Sequence, residues 1–188
     1  MFIQTEDTPN PNSIKFLPGK DVCPEQPMNF KTKDDCAESP LAQQLFEIKY
    51  VDGVFFGKDF VTITKEESAE WGKIKSEILL SLMDFFSSGN DVILKRRKDS
   101  AQTSDADDNK IVSEIKEIIE QKVRPAVAQD GGDIIFHSFE NGIVKLELHG
   151  ACSGCPSSTV TLKNGIENML KHYVPEVESV EAVEGDTA

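Results

Sequence analysis

Positive charge, cysteine and long apolar runs are all scarce in this chain, and each shortage removes a class of function. Against 33 acidic side chains stand 20 basic ones, a net charge of −13 over 188 residues. Duplex binding draws its affinity from neutralising phosphates with Lys and Arg, so nucleic acid is excluded as a partner. An anionic membrane surface would repel the chain as well. No stretch approaches the ~20 apolar residues needed to cross a bilayer. Four cysteines are too few for a disulfide scaffold at this length. Protein partners and cationic ligands stay open. The opening MFIQTEDTPNPN is acidic and turn-rich, unlike a secretory signal or an Arg-rich transit peptide. The expected compartment is the bacterial cytoplasm or, for a mature organellar chain, the mitochondrial matrix.

Composition divides what is there. Residues 87–109 lose hydrophobic periodicity after Leu94 and turn charged, Ser-rich and Asp-rich, which predicts a flexible linker over 96–109 between domains at 1–95 and 110–188. In the first domain, short strands flank the Asn- and Pro-rich turn TPNPNS. A helix follows over 40–48, then VDGVFFG and FVTITK form a hairpin. Trp71, Ile74, Ile78, Leu82 and Phe85 recur at helical spacing and place a core-facing helix over 68–86. Residues 18–39, with Cys23 and Cys36, show no periodicity that assigns them. Nothing in this half pairs an acid with a base or forms a Gly-rich phosphate loop.

The second domain reads α-β-β-α-β. A helix covers about 110–128, and Pro125 should bend it or disturb its last turn. DIIFHSFE and IVKLELH alternate as strands around Asn141-Gly142, the strongest short hairpin signal. A second helix runs over 156–173 and ends before Pro175, and VESVEAV supplies a last strand. The fold class is therefore α+β, two small mixed domains joined by a linker.

The chemistry concentrates in HGACSGCP, residues 149–156. A CxxC pair can hold a metal, form a disulfide or carry electrons, and in a reducing compartment the first and last uses prevail. Cys152 and Cys155 lie between a strand and a helix. Pro156 suits the first helical turn, where a missing N–H is harmless. A helix N-terminus favours thiolate. Gly150 and Gly154 permit a tight turn, and small neighbours predict a solvent-accessible chelate.

A tetrahedral zinc or an iron–sulfur cluster usually needs four protein ligands, and this domain offers two cysteines. His149 is read as pointing outward with Lys145 and Glu147, an ordinary exposed residue, and His137 and His172 have no ligand spacing to the CxxC. Cys23 and Cys36, separated by twelve residues, read as two unrelated thiols. A C2 dimer that places two CxxC loops face to face supplies four thiolates most simply.

RPAVAQDGGDIIF (124–136), the Asn-Gly hairpin and LHGACSGCPSSTVTLKNGIENML (148–170) resemble the C-terminal NifU-type domain of Nfu proteins, carriers and late scaffolds of iron–sulfur cluster assembly. MFIQTEDTPNPNSIKFLPG, VDGVFFGKDFVTITK and the Trp-bearing helix resemble the N-terminal domain that accompanies it. The resemblance implies a labile [4Fe–4S] cluster shared between two chains, with Cys152 and Cys155 of each as ligands. It implies a homodimer when loaded, an upstream scaffold as donor, apo iron–sulfur proteins as recipients, and no enzymatic activity. Two other readings fit the CxxC itself. A thiol–disulfide oxidoreductase shares the strand–CxxC–helix order, but the Trp and internal Gly-Pro of many such sites are missing. The other is a zinc-bridged interaction module.

Overall fold

The computed structural model describes residues 2–94, 110–153 and 156–183, the first four of the last stretch by backbone alone. The predicted linker 96–109 and Cys155 lie outside the described residues. Two units divide the chain, Met1–Asp99 and Ser100–Ala188. Among the described residues no helix is long and apolar enough to cross a membrane.

In the first unit, β1 (Gln4–Asp7), β2 (Ser13–Leu17), β3 (Met28–Phe30), β4 (Val51–Phe56) and β5 (Val61–Lys65) form one antiparallel sheet in the order β1-β2-β5-β4-β3. The VDGVFFG–FVTITK hairpin is β4–β5, with Val54 opposite Ile63. Alternation puts Ile14, Phe16, Val54, Phe56, Val61 and Ile63 in the core. Two helices supply the rest of it. In α1 (Pro40–Phe46), Leu41, Ala42 and Leu45 are buried, and Ser39 caps the helix by accepting the Ala42 N–H at 3.2 Å. In α2 (Trp71–Ser88), Ile74, Ile78, Leu82, Phe85 and Phe86 are buried as the periodicity requires, while Trp71 is half-buried and donates its indole N–H to the Pro11 carbonyl. Within the unassigned 18–39 stretch the structure places β3 and a 3₁₀ helix over Lys33–Glu38. Neither has a periodic signal, and β3 exists through its pairing with β4.

The second unit follows the expected α-β-β-α-β order, with the first helix in two pieces. Residues of α3 (Lys110–Ile118) give way to a π-helical turn over Ile119–Val123, then to α4 (Arg124–Gln129). Pro125 explains the interruption, because it offers no N–H to the carbonyl four residues earlier and the i→i+5 turn reroutes the ladder. Ile115, Ile119, Val123 and Val127, four residues apart, are all buried. A regular α-helix overshoots by about 40° every four residues, and the wider turn keeps this row facing the sheet.

Strands β6 (Gly132–Glu140) and β7 (Ile143–Gly150) pair around Asn141-Gly142, both at positive φ (51° and 79°). The helix α5 (Pro156–Tyr173) crosses over to β8 (Ser179–Val183), which pairs with β7 in parallel. β7 is therefore the central strand, and its C-terminal end carries the CxxC loop.

Candidate functional site

The loop after β7 starts at Gly150, whose φ of 64° turns the chain as the sequence anticipated. Ser153 N–H donates to the Gly150 carbonyl (3.0 Å) and Ala151 N–H to the Gly131 carbonyl (3.2 Å). These bonds join the loop to the start of β6, where Gly132 is register partner to Gly150. The helix α5 begins at Pro156, so Cys155 immediately precedes its N-terminus in the chain.

Cys152 is not open to solvent. It is 6% exposed and belongs to the core formed by Val123, Val127, Leu146 and Ile166 among others. The expected accessible chelate is corrected at this residue. Small flanking side chains do not leave Cys152 open, because the strand that fills the space comes from twenty residues earlier. Its sulfur lies against the Cα of Gly132: a methyl built there would stand 2.5 Å from Cys152 Sγ and 2.7 Å from the His149 carbonyl oxygen. Gly132 is thus required by close approach. Sequence reasoning did not single it out, although the doublet Gly131-Gly132 ahead of a strand is the signal that could have done so.

One ion pair fixes that strand. Arg124 donates through Nε to Asp133 Oδ1 (2.8 Å) and through Nη2 to Asp133 Oδ2 (2.7 Å), and its Nη1 reaches Glu120. The paired carboxylates hold the guanidinium still more firmly in its charged form. The Asp133 side chain is 6% exposed and that of Arg124 is 28% exposed. Removing the cation strands a buried carboxylate, which typically costs 3–5 kcal/mol in a fully buried pair. With the guanidinium partly wet, Arg124→Met is expected to lose about 2–3 kcal/mol in urea unfolding. Adding Asp133→Asn should restore part of that loss.

His149 stands opposite Asp133 in the β6–β7 ladder. It shares a face with Glu147 as read, and its Nε2 lies 2.7 Å from Glu147 Oε1. Yet its side chain is 12% exposed and that of Glu147 21%, so neither is the ordinary exposed residue expected. Glu147 is flanked on both sides, by Ile135 of β6 and Val183 of β8, and His149 is covered on one side by Asp133 of β6. His137 is exposed beside the register shift between Phe136 and Ser138. His172 stacks edge-on against Tyr173.

Cys23 and Cys36 are buried in the first unit, each with its own backbone acceptor: Gln26 O at 2.7 Å for Cys23 and Thr32 O at 3.3 Å for Cys36. Burial raises both thiol pKa values, that of Cys36 to about 11. These are protonated thiols at neutral pH, ill suited as ligands or nucleophiles. For Cys36 the neutral form is favoured in the folded state. The resulting stability is complete below the unfolded thiol value, ~8.5, and is lost as pH rises toward 11. Unfolding measured from pH 8 to 11 should show a loss of about 2–3 kcal/mol, and Cys36→Ala should flatten that slope. Among the described residues no group of three or more His, Cys, Asp or Glu side chains gathers to hold a metal.

Residues 3–89 match the family described as scaffold protein Nfu/NifU N terminal, and residues 115–181 match the NifU-like domain. A human protein named NFU1 iron-sulfur cluster scaffold homolog, mitochondrial, is 51% identical over 187 residues, 99% of this chain and 73% of that protein. Its namesake in Drosophila virilis is 54% identical over 187 residues, 99% of this chain and 63% of that one. A NifU-like protein from Saccharomyces cerevisiae, solved by solution NMR, is 34% identical, covers 51% of this chain and 87% of its own, and superposes with a TM-score of 0.47.

Proposed function

This chain belongs to the Nfu family of NifU-like proteins, and from that premise we propose that it carries iron–sulfur clusters during their assembly and passes them to apo-proteins. In this reading two chains share one [4Fe–4S] cluster as cargo, each contributing Cys152 and Cys155. The role is binding and hand-over without catalysis. Its partners are an upstream scaffold and recipient apo-proteins, and its setting is the mitochondrion, as the names of the relatives suggest.

The observation that carries the reading is the seat of Cys152. Its sulfur packs against Gly132, and Cys152 itself lies four residues in sequence ahead of Pro156, where α5 begins. Such a terminus favours the negative charge that a thiolate-ligated cluster brings. A single chain offers two cysteines there, and symmetry doubles them. Val160, in the second turn of α5, is 59% exposed and leaves apolar surface near the start of that helix.

Release is ligand exchange. For each incoming cysteine, one Fe–S bond forms as the bond to Cys152 or Cys155 breaks. The proton of the incoming thiol passes to the departing thiolate, and no electron is transferred. A buried, backbone-seated Cys152 supports a sequence in which Cys155 leaves first.

Anaerobic reconstitution with iron and sulfide, followed by native mass spectrometry and absorption on one sample, tests the reading. A brown dimer with about four irons per two chains is expected. A colourless zinc-bridged dimer would replace the cluster with a structural metal. A monomer that takes up no iron sinks the carrier reading, and an insulin-reduction assay would then examine the oxidoreductase.

A further inference from the structure

A cleft of about 1060 Å³ opens in the first unit between residues 20–28 and residues 86–94. Both walls are anchored. Val22 N–H donates to the Lys58 carbonyl (2.8 Å) and Cys23 N–H to the Gly57 carbonyl (3.2 Å), which ties the first wall to the turn between β4 and β5. On the other side, Leu94 N–H donates to the Glu38 carbonyl (2.8 Å) and the Ser39 hydroxyl to the Val92 carbonyl (2.7 Å). These bonds tie the second wall to the residues ahead of α1. The cleft is therefore formed in advance, and a ligand meets little ordering cost.

Its chemistry is two-sided. Val22, Met28, Phe86, Val92 and Ile93 give apolar lining continuous with the core. Asp21, Glu25, Glu38 and Asp91 also line it and, among the described residues, face one cation, Lys20. That lysine is already engaged, donating to the Phe86 carbonyl at 2.9 Å and lying 5.0 Å above the Phe86 ring. Asp21, Glu25 and Asp91 are exposed and enter none of the ion pairs formed among the described residues. The volume is at the upper end for small-molecule pockets, ~300–1,000 Å³. With an apolar floor below a carboxylate rim, it suits a ligand whose aliphatic groups seat inward while cations reach the edge.

We propose that this cleft docks a short segment of a partner protein in which Lys or Arg residues alternate with aliphatic ones. All the residues that line the cleft lie in the first unit, whereas Cys152 and Cys155 belong to the second. Docking there gives the first unit a recruiting role that its lack of chemical motifs leaves open.

The test uses the full chain and a fluorescein-labelled peptide of alternating Lys and Leu, read by anisotropy and by amide chemical shifts. Shifts should concentrate at residues 20–28 and 86–94. Joint replacement Asp21→Asn, Glu25→Gln and Asp91→Asn should weaken binding about tenfold. The same charge change on the second unit (Glu114→Gln, Glu176→Gln, Glu181→Gln) should alter it less than about twofold. Equal weakening by both sets would mean attraction to net charge alone and would overturn the proposal. So would shifts centred elsewhere, no binding, or equal affinity for a Lys–Ser peptide. Replacement of Lys95, Arg96, Arg97 and Lys98 by Gln distinguishes the remaining occupant. If that variant binds the peptide about tenfold more tightly, the chain's own basic run competes for the cleft and the partner reading fails.

Discussion

Replacement of either Cys152 or Cys155 by Ser is expected to drop the iron retained after anaerobic reconstitution from about four per two chains to background. In the proposed dimer each substitution would remove two of the four thiolates at once, because the symmetry repeats it on both chains. A serine hydroxyl is a far poorer donor to iron than a thiolate. Stability at position 152 needs its own control, because Cys152 is a core residue. A hydroxyl buried there costs about 1–3 kcal/mol without a good hydrogen bond, which lowers the melting temperature by several degrees. Cys152→Ala keeps the site apolar and should lose the cluster just as completely, with a near-normal circular dichroism spectrum. Normal iron content in either folded variant at position 152, or in Cys155→Ser, would remove that residue from the ligand set.

The second large effect is expected at a residue with no donor atom. Gly132→Ala places a methyl 2.5 Å from Cys152 Sγ and 2.7 Å from the His149 carbonyl oxygen. The sulfur can turn away, but the carbonyl belongs to the β6–β7 ladder and cannot move without disturbing it. Overpacking of this kind costs about 1–3 kcal/mol, and the displaced sulfur should shorten cluster lifetime under chelator challenge by about tenfold. Double-mutant arithmetic separates the two clashes. In a Cys152→Ala background the sulfur contact is gone, so Gly132→Ala should cost about 1 kcal/mol less than in the parent chain. An unchanged cost, together with parental cluster lifetime in the single variant, would show that Gly132 does not seat the sulfur.

The Arg124–Asp133 pair belongs to the same device. The carboxylate that follows Gly132 is clamped to the helix across its start, so the strand cannot slide away from the sulfur without stranding a charge. A weakened pair should therefore lower stability and cluster retention together, whereas a changed ligand lowers retention alone. That contrast distinguishes residues that hold the cargo from residues that hold the holder.

Much of this architecture was decided within short windows of sequence. The four-residue rhythm of Ile74, Ile78 and Leu82 fixes a buried helix face, because side chains three and four apart share it. Asn141-Gly142 fixes a hairpin, because both residues tolerate the positive φ that its turn imposes. Cys152 and Cys155, between a strand and a helix-starting Pro156, mark the place of the proposed cluster chemistry. Pro125 announced a disturbance in its helix, and the structure sets it in the preceding turn, where the carbonyl ladder loses its donor.

Contacts between distant residues were decided only by the tertiary structure. Nothing local to Met28–Phe30 makes it a strand. It becomes one when Phe30 meets Val54 across a gap of more than twenty residues. The pairing of Ile14 with Ile63 sets the sheet order in the same way, and the parallel seat of β8 depends on the crossover through α5. The burial of Cys152 is the functional instance. Its neighbours in sequence are small and suggest an open loop, but the β6–β7 register carries Gly132 onto its sulfur. Periodicity and turn chemistry act over a few residues and are written in the chain. Register is a sum of many weak cross-strand contacts, and it determines which distant residue fills the space beside a given atom.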